Sequence, residues 1–103
     1  MIRGGAVRLN VRDVSSAARF YIETLGMKLV AEPPGSAVID AGEGFELLLV
    51  PGKTSTGDIV FRTKVPLDEA VAIYENRGVV FDRGVGSATF ADADGNRFTL
   101  VQG

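Results

Sequence analysis

The side chains able to do chemistry in this sequence are carboxylates, guanidinium groups and hydroxyls, because its 103 residues include no histidine and no cysteine. That excludes Ser-His and Cys-His nucleophiles, an imidazole general base and a disulfide framework. A metal site would have oxygen donors only, which suits hard cations rather than zinc, copper or imidazole-held iron. The densest acidic motif is Asp92-Ala93-Asp94-Gly95-Asn96, and it fails as a calcium loop. Such a loop needs Gly at its sixth position and Glu at its twelfth, where counting from Asp92 gives Arg97 and Gly103. It reads instead as a hairpin with Asp94-Gly95 in the turn. Gly4-Gly5 has no strand before it and no helix with Lys-Ser/Thr after it, so it is not a phosphate loop. Asp68 and Glu69 fall in the first turn of a helix, where acids suit the helix dipole and imply no catalytic role.

Elements that could position such groups follow from the hydrophobic spacing. Ala6 to Val11 alternates as a strand, with Val7, Leu9 and Val11 on one face and Ala6, Arg8 and Asn10 on the other. Val14, Ala17, Ala18, Tyr21 and Leu25 recur at helical spacing, with Asp13 or a nearby Ser as cap and Gly26 at the end. The Phe20-Tyr21 pair on this helix reads as core packing. Met27 to Ala31, Ser36 to Asp40 and Phe45 to Val50 are strands, separated by Pro33-Pro34-Gly35 and Ala41-Gly42-Glu43-Gly44. The order then repeats. Asp58 to Thr63 is a strand, and Leu67 to Asn76 a helix entered at Pro66 and ended at Gly78. Val79 to Phe81, Ala88 to Ala91 and Arg97 to Val101 are strands, and Pro51 to Gly57 is the linker.

The chain therefore carries an internal repeat, Ala6 to Val50 against Asp58 to Gln102. Val7-Arg8-Leu9-Asn10-Val11 aligns with Ile59-Val60-Phe61-Arg62-Thr63, and Leu25-Gly26 with Arg77-Gly78. Ala37-Val38-Ile39-Asp40-Ala41 aligns with Thr89-Phe90-Ala91-Asp92-Ala93. After a one-residue slip, Phe45-Glu46-Leu47 aligns with Phe98-Thr99-Leu100. Two copies are too few for a solenoid. The expected class is α+β: two βαβββ modules, 5–51 and 57–103, within one domain spanning 1–103. Hydrophobic residues at 46%, charged residues at 23% and a net charge of −2 fit a soluble globular chain and argue against nucleic acid. No apolar run suits a membrane span and the first residues lack a signal-type stretch, so the expected location is cytoplasmic.

Val11-Arg12-Asp13, Phe20-Tyr21-Ile22-Glu23-Thr24-Leu25-Gly26, Phe45-Glu46-Leu47 and Phe90-Ala91-Asp92-Ala93-Asp94-Gly95-Asn96 together resemble the vicinal oxygen chelate superfamily. This includes glyoxalase I, extradiol dioxygenases and bleomycin-resistance proteins. The resemblance implies that two βαβββ units form a curved mixed sheet around a cleft. It also implies, in metal-dependent members, one metal ligand on the first and the last strand of each unit. Here those positions are Ala6, Glu46, Asp58 and Thr99. Ala6 has no donor, and two carboxylates and a neutral hydroxyl remain. No metal site and no cofactor are expected.

If those four positions face the cleft, strand alternation brings Arg8, Asn10, Leu48, Val60, Arg62, Arg97 and Val101 with them. The ligand-binding set is then Arg8, Asn10, Glu46, Leu48, Asp58, Val60, Arg62, Thr99 and Val101, with no catalytic residue assigned. Two readings stay open. Arg8, Glu46, Asp58 and Arg62 pair with one another and fill the cleft, or they line a polar pocket with apolar patches. Acid–base work by Glu46 and Asp58 is disfavoured, since nearby arginines would keep both ionised. The expected function is metal-independent binding of a small organic molecule, sequestering an antibiotic or metabolite, in a homodimer with no nucleic-acid or membrane partner. The alternatives are a glyoxalase-type lyase or isomerase, or a dioxygenase, with an oxygen-only metal site, and a role in association with the cleft vestigial.

Overall fold

The computed structural model describes residues 1–2, 4–53 and 58–103, with the backbone alone at residue 58. Two compact units divide the chain after residue 55. The expected linker, Pro51 to Gly57, is described only as far as Lys53. Pro51 closes a strand, and residues 54–57 lie outside the described residues.

Unit one runs β1 (Ala6–Val11), α1 (Val14–Arg19), β2 (Lys28–Ala31), β3 (Ala37–Gly42) and β4 (Phe45–Pro51). The sheet order is β1-β4-β3-β2, with β1 parallel to β4 and the other pairs antiparallel. Alternation sends Leu9, Val11, Ala37, Ile39, Leu47 and Leu49 to one buried face, where Ala17, Ala18, Tyr21 and Leu25 of the helical segment are also buried. Asp13 caps α1 as expected, its Oδ1 accepting from the Ser16 backbone N–H at 3.2 Å. The helix does not run evenly to Leu25. After Arg19 it widens into a π-helical turn, Phe20–Thr24, closed by the Leu25 N–H donating to the Phe20 carbonyl at 3.1 Å. Tyr21 and Leu25 are both buried across that turn, at 0% and 5% exposure.

Unit two runs β5 (Asp58–Thr63), α2 (Leu67–Glu75), β6 (Asp82–Gly84), β7 (Ser87–Ala91) and β8 (Arg97–Gln102). Its order, β5-β8-β7-β6, repeats that of unit one, with β5 parallel to β8. Phe98 stacks with Phe61 and with Phe90, both at 5.2 Å between centroids, above the buried Leu67, Ala70 and Val71 of α2. Pro66 enters α2, and the Gln102 side chain on β8 caps it by accepting from the Leu67 N–H at 2.7 Å. The strand expected at Val79 to Phe81 lies instead at Asp82–Gly84. Val79 still belongs to the helix end: its N–H donates to the Tyr74 carbonyl at 3.1 Å and Gly78's to Glu75 at 3.0 Å. That is a Schellman-type cap with Gly78 at φ 90°.

The ladders fix how the two copies correspond. Leu49 stands opposite both Leu9 and Ala37, and Leu100 opposite both Phe61 and Ala88. Ala37 therefore corresponds to Ala88 and Leu49 to Leu100, which corrects the sequence alignment in the last two strands of each unit. The second copy is one residue shorter between Gly78 and Gly86 than the first is between Gly26 and Gly35. All four glycines have positive φ, so these turns mark equivalent points. In the third strand the correction is one residue, which exchanges the two faces; in the fourth it is two, which keeps the face but changes which side chains are counterparts.

Candidate functional site

The face of each sheet opposite its helix carries the sequence-derived candidates. In unit one, Glu46 stands between Ala6 on β1 and Asp40 on β3, and Leu48 between Arg8 and Val38. Asn10 stands opposite Val50. Leu48, Val38, Val50, Glu46, Asp40 and Asn10 are half-buried, while Ala6 and Arg8 are exposed. The face thus has an apolar centre, Leu48 with Val38 and Val50, and a polar border.

In unit two, Thr99 stands between Val60 on β5 and Thr89 on β7, and Val101 between Arg62 and Ser87. The Thr89 and Thr99 hydroxyl oxygens are 3.1 Å apart in a part-buried hydrogen bond. Val60 is 53% exposed, although apolar. Arg8, Asn10, Glu46 and Leu48 thus share one open face, and Val60, Arg62, Thr99 and Val101 share the other. The backbone of Asp58 stands opposite Arg97, and its side chain lies outside the described residues. Val38, Val50, Ser87 and Thr89 were missing from the sequence-derived set. Alternation along the third strand of each unit, with the right register, would have found Val38, Ser87 and Thr89, and alternation carried to the end of β4 would have found Val50.

Among the described residues, no hydrogen bond or ion pair engages the side chains of Arg8, Glu46 or Arg62. Elsewhere, ion pairs join residues of the helical segments and β6. Arg19 donates from Nε to Glu23 Oε2 at 2.8 Å, one helical turn away. That hydrogen bond and the charge behind it raise the Arg19 guanidinium and lower the Glu23 carboxyl from their ordinary values. Arg83 on β6 pairs with Asp68 on α2. The Asp92 carboxylate is spent on its own hairpin. It accepts from the Asp94 and Asn96 N–H groups and from the buried Asn96 Nδ2, each at 2.9 Å. The hairpin reading of that motif holds, and its turn glycine is Gly95 at φ 85°.

The resemblance gives Ala6, Glu46, Asp58 and Thr99 as the ligand positions of metal-dependent relatives, and the register shows which residues of the two units are counterparts. Ala6 pairs with Glu46, and the equivalent pair in unit two is Asp58 with Arg97. Thr99 is one pair further along, opposite Val60, where unit one has Leu48 opposite Arg8. The positions the resemblance names offer two carboxylates and a neutral hydroxyl, and Arg97, the register counterpart of Glu46, offers a guanidinium. A catalytic zinc site needs about three protein ligands and an open fourth position, so this donor set does not fit one. Among the described residues, no group of three or more His, Cys, Asp or Glu is placed to hold a metal ion.

A helix over one face of a β1-β4-β3-β2 sheet, made twice in one chain, defines an α+β protein of paired βαβββ modules. The family model of the Glyoxalase/Bleomycin resistance protein/Dioxygenase superfamily matches residues 4–100, and the chain belongs to that superfamily. Solved structures of the same fold include TnmS3, an antibiotic binding protein from Streptomyces sp. CB03234. It is 29% identical, with a TM-score of 0.83 over 99% of this chain and 96% of that one. A glyoxalase/bleomycin resistance protein from the same Streptomyces is 28% identical, with a TM-score of 0.76 over 96% and 99% of the two chains. A superfamily member from Sphaerobacter thermophilus DSM 20745 is 26% identical, with a TM-score of 0.81 over 100% and 98%. No curated protein matches the chain by sequence. No helix among the described residues is long and apolar enough to cross a membrane.

Proposed function

We propose that this protein binds a small organic molecule without a metal ion, sequestering an antibiotic or a metabolite, and does so in the cytoplasm. The observation that carries the reading is the donor set at the positions the resemblance gives as ligands: Ala6, Glu46, Asp58 and Thr99 include only two carboxylates, and Arg97 stands where the register puts the counterpart of Glu46. Apolar side chains on the open faces support it, because Leu48, Val38, Val50, Val60 and Val101 give a ligand surface to cover while Arg8 and Arg62 offer charge-assisted hydrogen bonds. The likeness to an antibiotic binding protein adds weight.

A ligand that binds only the native state raises its stability. At a hundredfold excess over Kd the gain is about 2.7 kcal/mol, enough to raise Tm by roughly 10 °C in a chain of this size. A thermal-shift panel of natural-product antibiotics and polar aromatic metabolites on purified protein is expected to contain compounds with shifts of that order. Absence of any shift, with a divalent metal found at one equivalent per chain, would instead support the lyase, isomerase or dioxygenase alternative.

We further propose that the protein acts as a homodimer, the commonest closed assembly, which adds burial to a small core. Sedimentation at micromolar concentration is expected to give twice the 10.9 kDa of one chain. A single species at the monomer mass would exclude the dimer.

A further inference from the structure

The two copies of the module differ most in chemistry at the centre of their open faces. Where unit one places Val38 opposite Leu48, unit two places Thr89 opposite Thr99. Both pairs are half-buried and occupy the same ladder position. The module folds around an apolar pair there, so the hydroxyls of unit two are not a requirement of the architecture. They lie 3.1 Å apart and share one hydrogen bond, and among the described residues neither makes another. One hydroxyl donates and the other accepts. The accepting hydroxyl keeps its own hydrogen, and the donating one keeps its lone pairs. The pair therefore presents a donor and an acceptor side by side on a surface flanked by Val60 and Val101, with Ser87 in the next row.

We propose that Thr89 and Thr99 form the specificity-determining subsite of this face, taking a ligand group that carries an acceptor beside a donor on an apolar ring system. A primary amide on an aromatic body has this form. The inference rests on the small-molecule-binding reading above and names its ligand chemistry. Val60 and Val101 would cover the apolar ring, and the two hydroxyls would complete a closed pair of hydrogen bonds with the polar end. A cross-strand threonine pair also steadies its sheet by a modest amount. Loss of stability on mutation therefore does not discriminate, and the test must read ligand selectivity.

The probes are 2-naphthamide and N,N-dimethyl-2-naphthamide, which share the ring and the carbonyl while the second lacks the donor. Titrations followed by amide chemical shifts on the full chain give both affinities and the location of binding. The wild-type protein is expected to prefer the primary amide by about three- to tenfold, the worth of one neutral hydrogen bond. Shifts should centre on residues 87–91 and 97–102. Thr89→Val and Thr99→Val keep the β-branched shape and should each remove the preference. Thr89→Ser and Thr99→Ser keep the hydroxyl and should retain it. Equal affinity for the two probes in the wild-type protein, a preference that survives in both valine variants, shifts centred elsewhere, or no binding of either probe would overturn the subsite. None of these results bears on the antibiotic panel, which decides the parent reading separately.

Discussion

Residues 1–53 expressed alone will show no cooperative thermal transition. Each unit has a helix over one face of its sheet, and the other face is left with half-buried apolar side chains: Val38, Leu48 and Val50 in unit one. The four-stranded sheet of unit one has free edges at β1 and β2. Every described residue of β2 is exposed, including Leu29 at 41% and Val30 at 52%. A chain of about fifty residues buries only some 60% of its unfolded surface, and at that size burial and conformational entropy nearly cancel. Losing the second unit should therefore shift the balance by several kcal/mol, on the scale of the whole stability of a small domain. Far-ultraviolet circular dichroism on heating, with sedimentation to establish the mass, checks this. A sharp sigmoidal transition in a monomeric 1–53 fragment would refute it.

Much of the fold was legible because its signals are local. Asp13 and Gly26 bracket the first helical segment, Pro66 and Gly78 the second, and period-two alternation marks β1, β4 and β8. The superfamily followed from motifs covering most of the chain. What the sequence concealed was register. Aligning Ala37 with Thr89 matches Asp40-Ala41 to Asp92-Ala93 and looks better by identity, yet it sets a buried residue against a half-buried one. Only cross-strand pairing reveals that the second copy drops its residue before Gly86, so that Glu46 answers to Arg97. The π-helical turn was also hidden, since Tyr21 and Leu25 fit ordinary helical spacing equally well. Val79 read as a strand residue because a β-branched apolar side chain at the cap of a helix looks the same in sequence as one that begins a ladder. Alternation alone decides that Arg8 and Glu46 share one face of their sheet and that Arg62 and Thr99 share a face of theirs.

The register makes its sharpest claim about metal. The unmodified protein is expected to bind neither Zn²⁺ nor Fe²⁺ stoichiometrically and to lack glyoxalase activity toward hemithioacetals. Combining Ala6→His, Asp58→His and Arg97→Glu with the native Glu46 should supply two imidazoles and two carboxylates at the positions the register makes counterparts. That set satisfies the ligand count of a zinc site. The control replaces Arg97→Glu by Thr99→Glu, the position the resemblance gives. It leaves a guanidinium at the counterpart of Glu46 and puts the new carboxylate two residues along β8, a displacement of roughly 6–7 Å. Altering partners that merely orient a ligand costs about 10–100-fold in affinity. Misplacing a ligand while keeping a cation beside the site should cost no less, so the control is expected to bind Zn²⁺ about a hundredfold more weakly. Competition against a fluorescent zinc chelator reads both constants on one scale. Equal affinities in the two triple variants would show that the ladder correspondence does not govern the site. Tight zinc binding by the unmodified chain, lost on Glu46→Ala, would show that the native donor set had been misjudged.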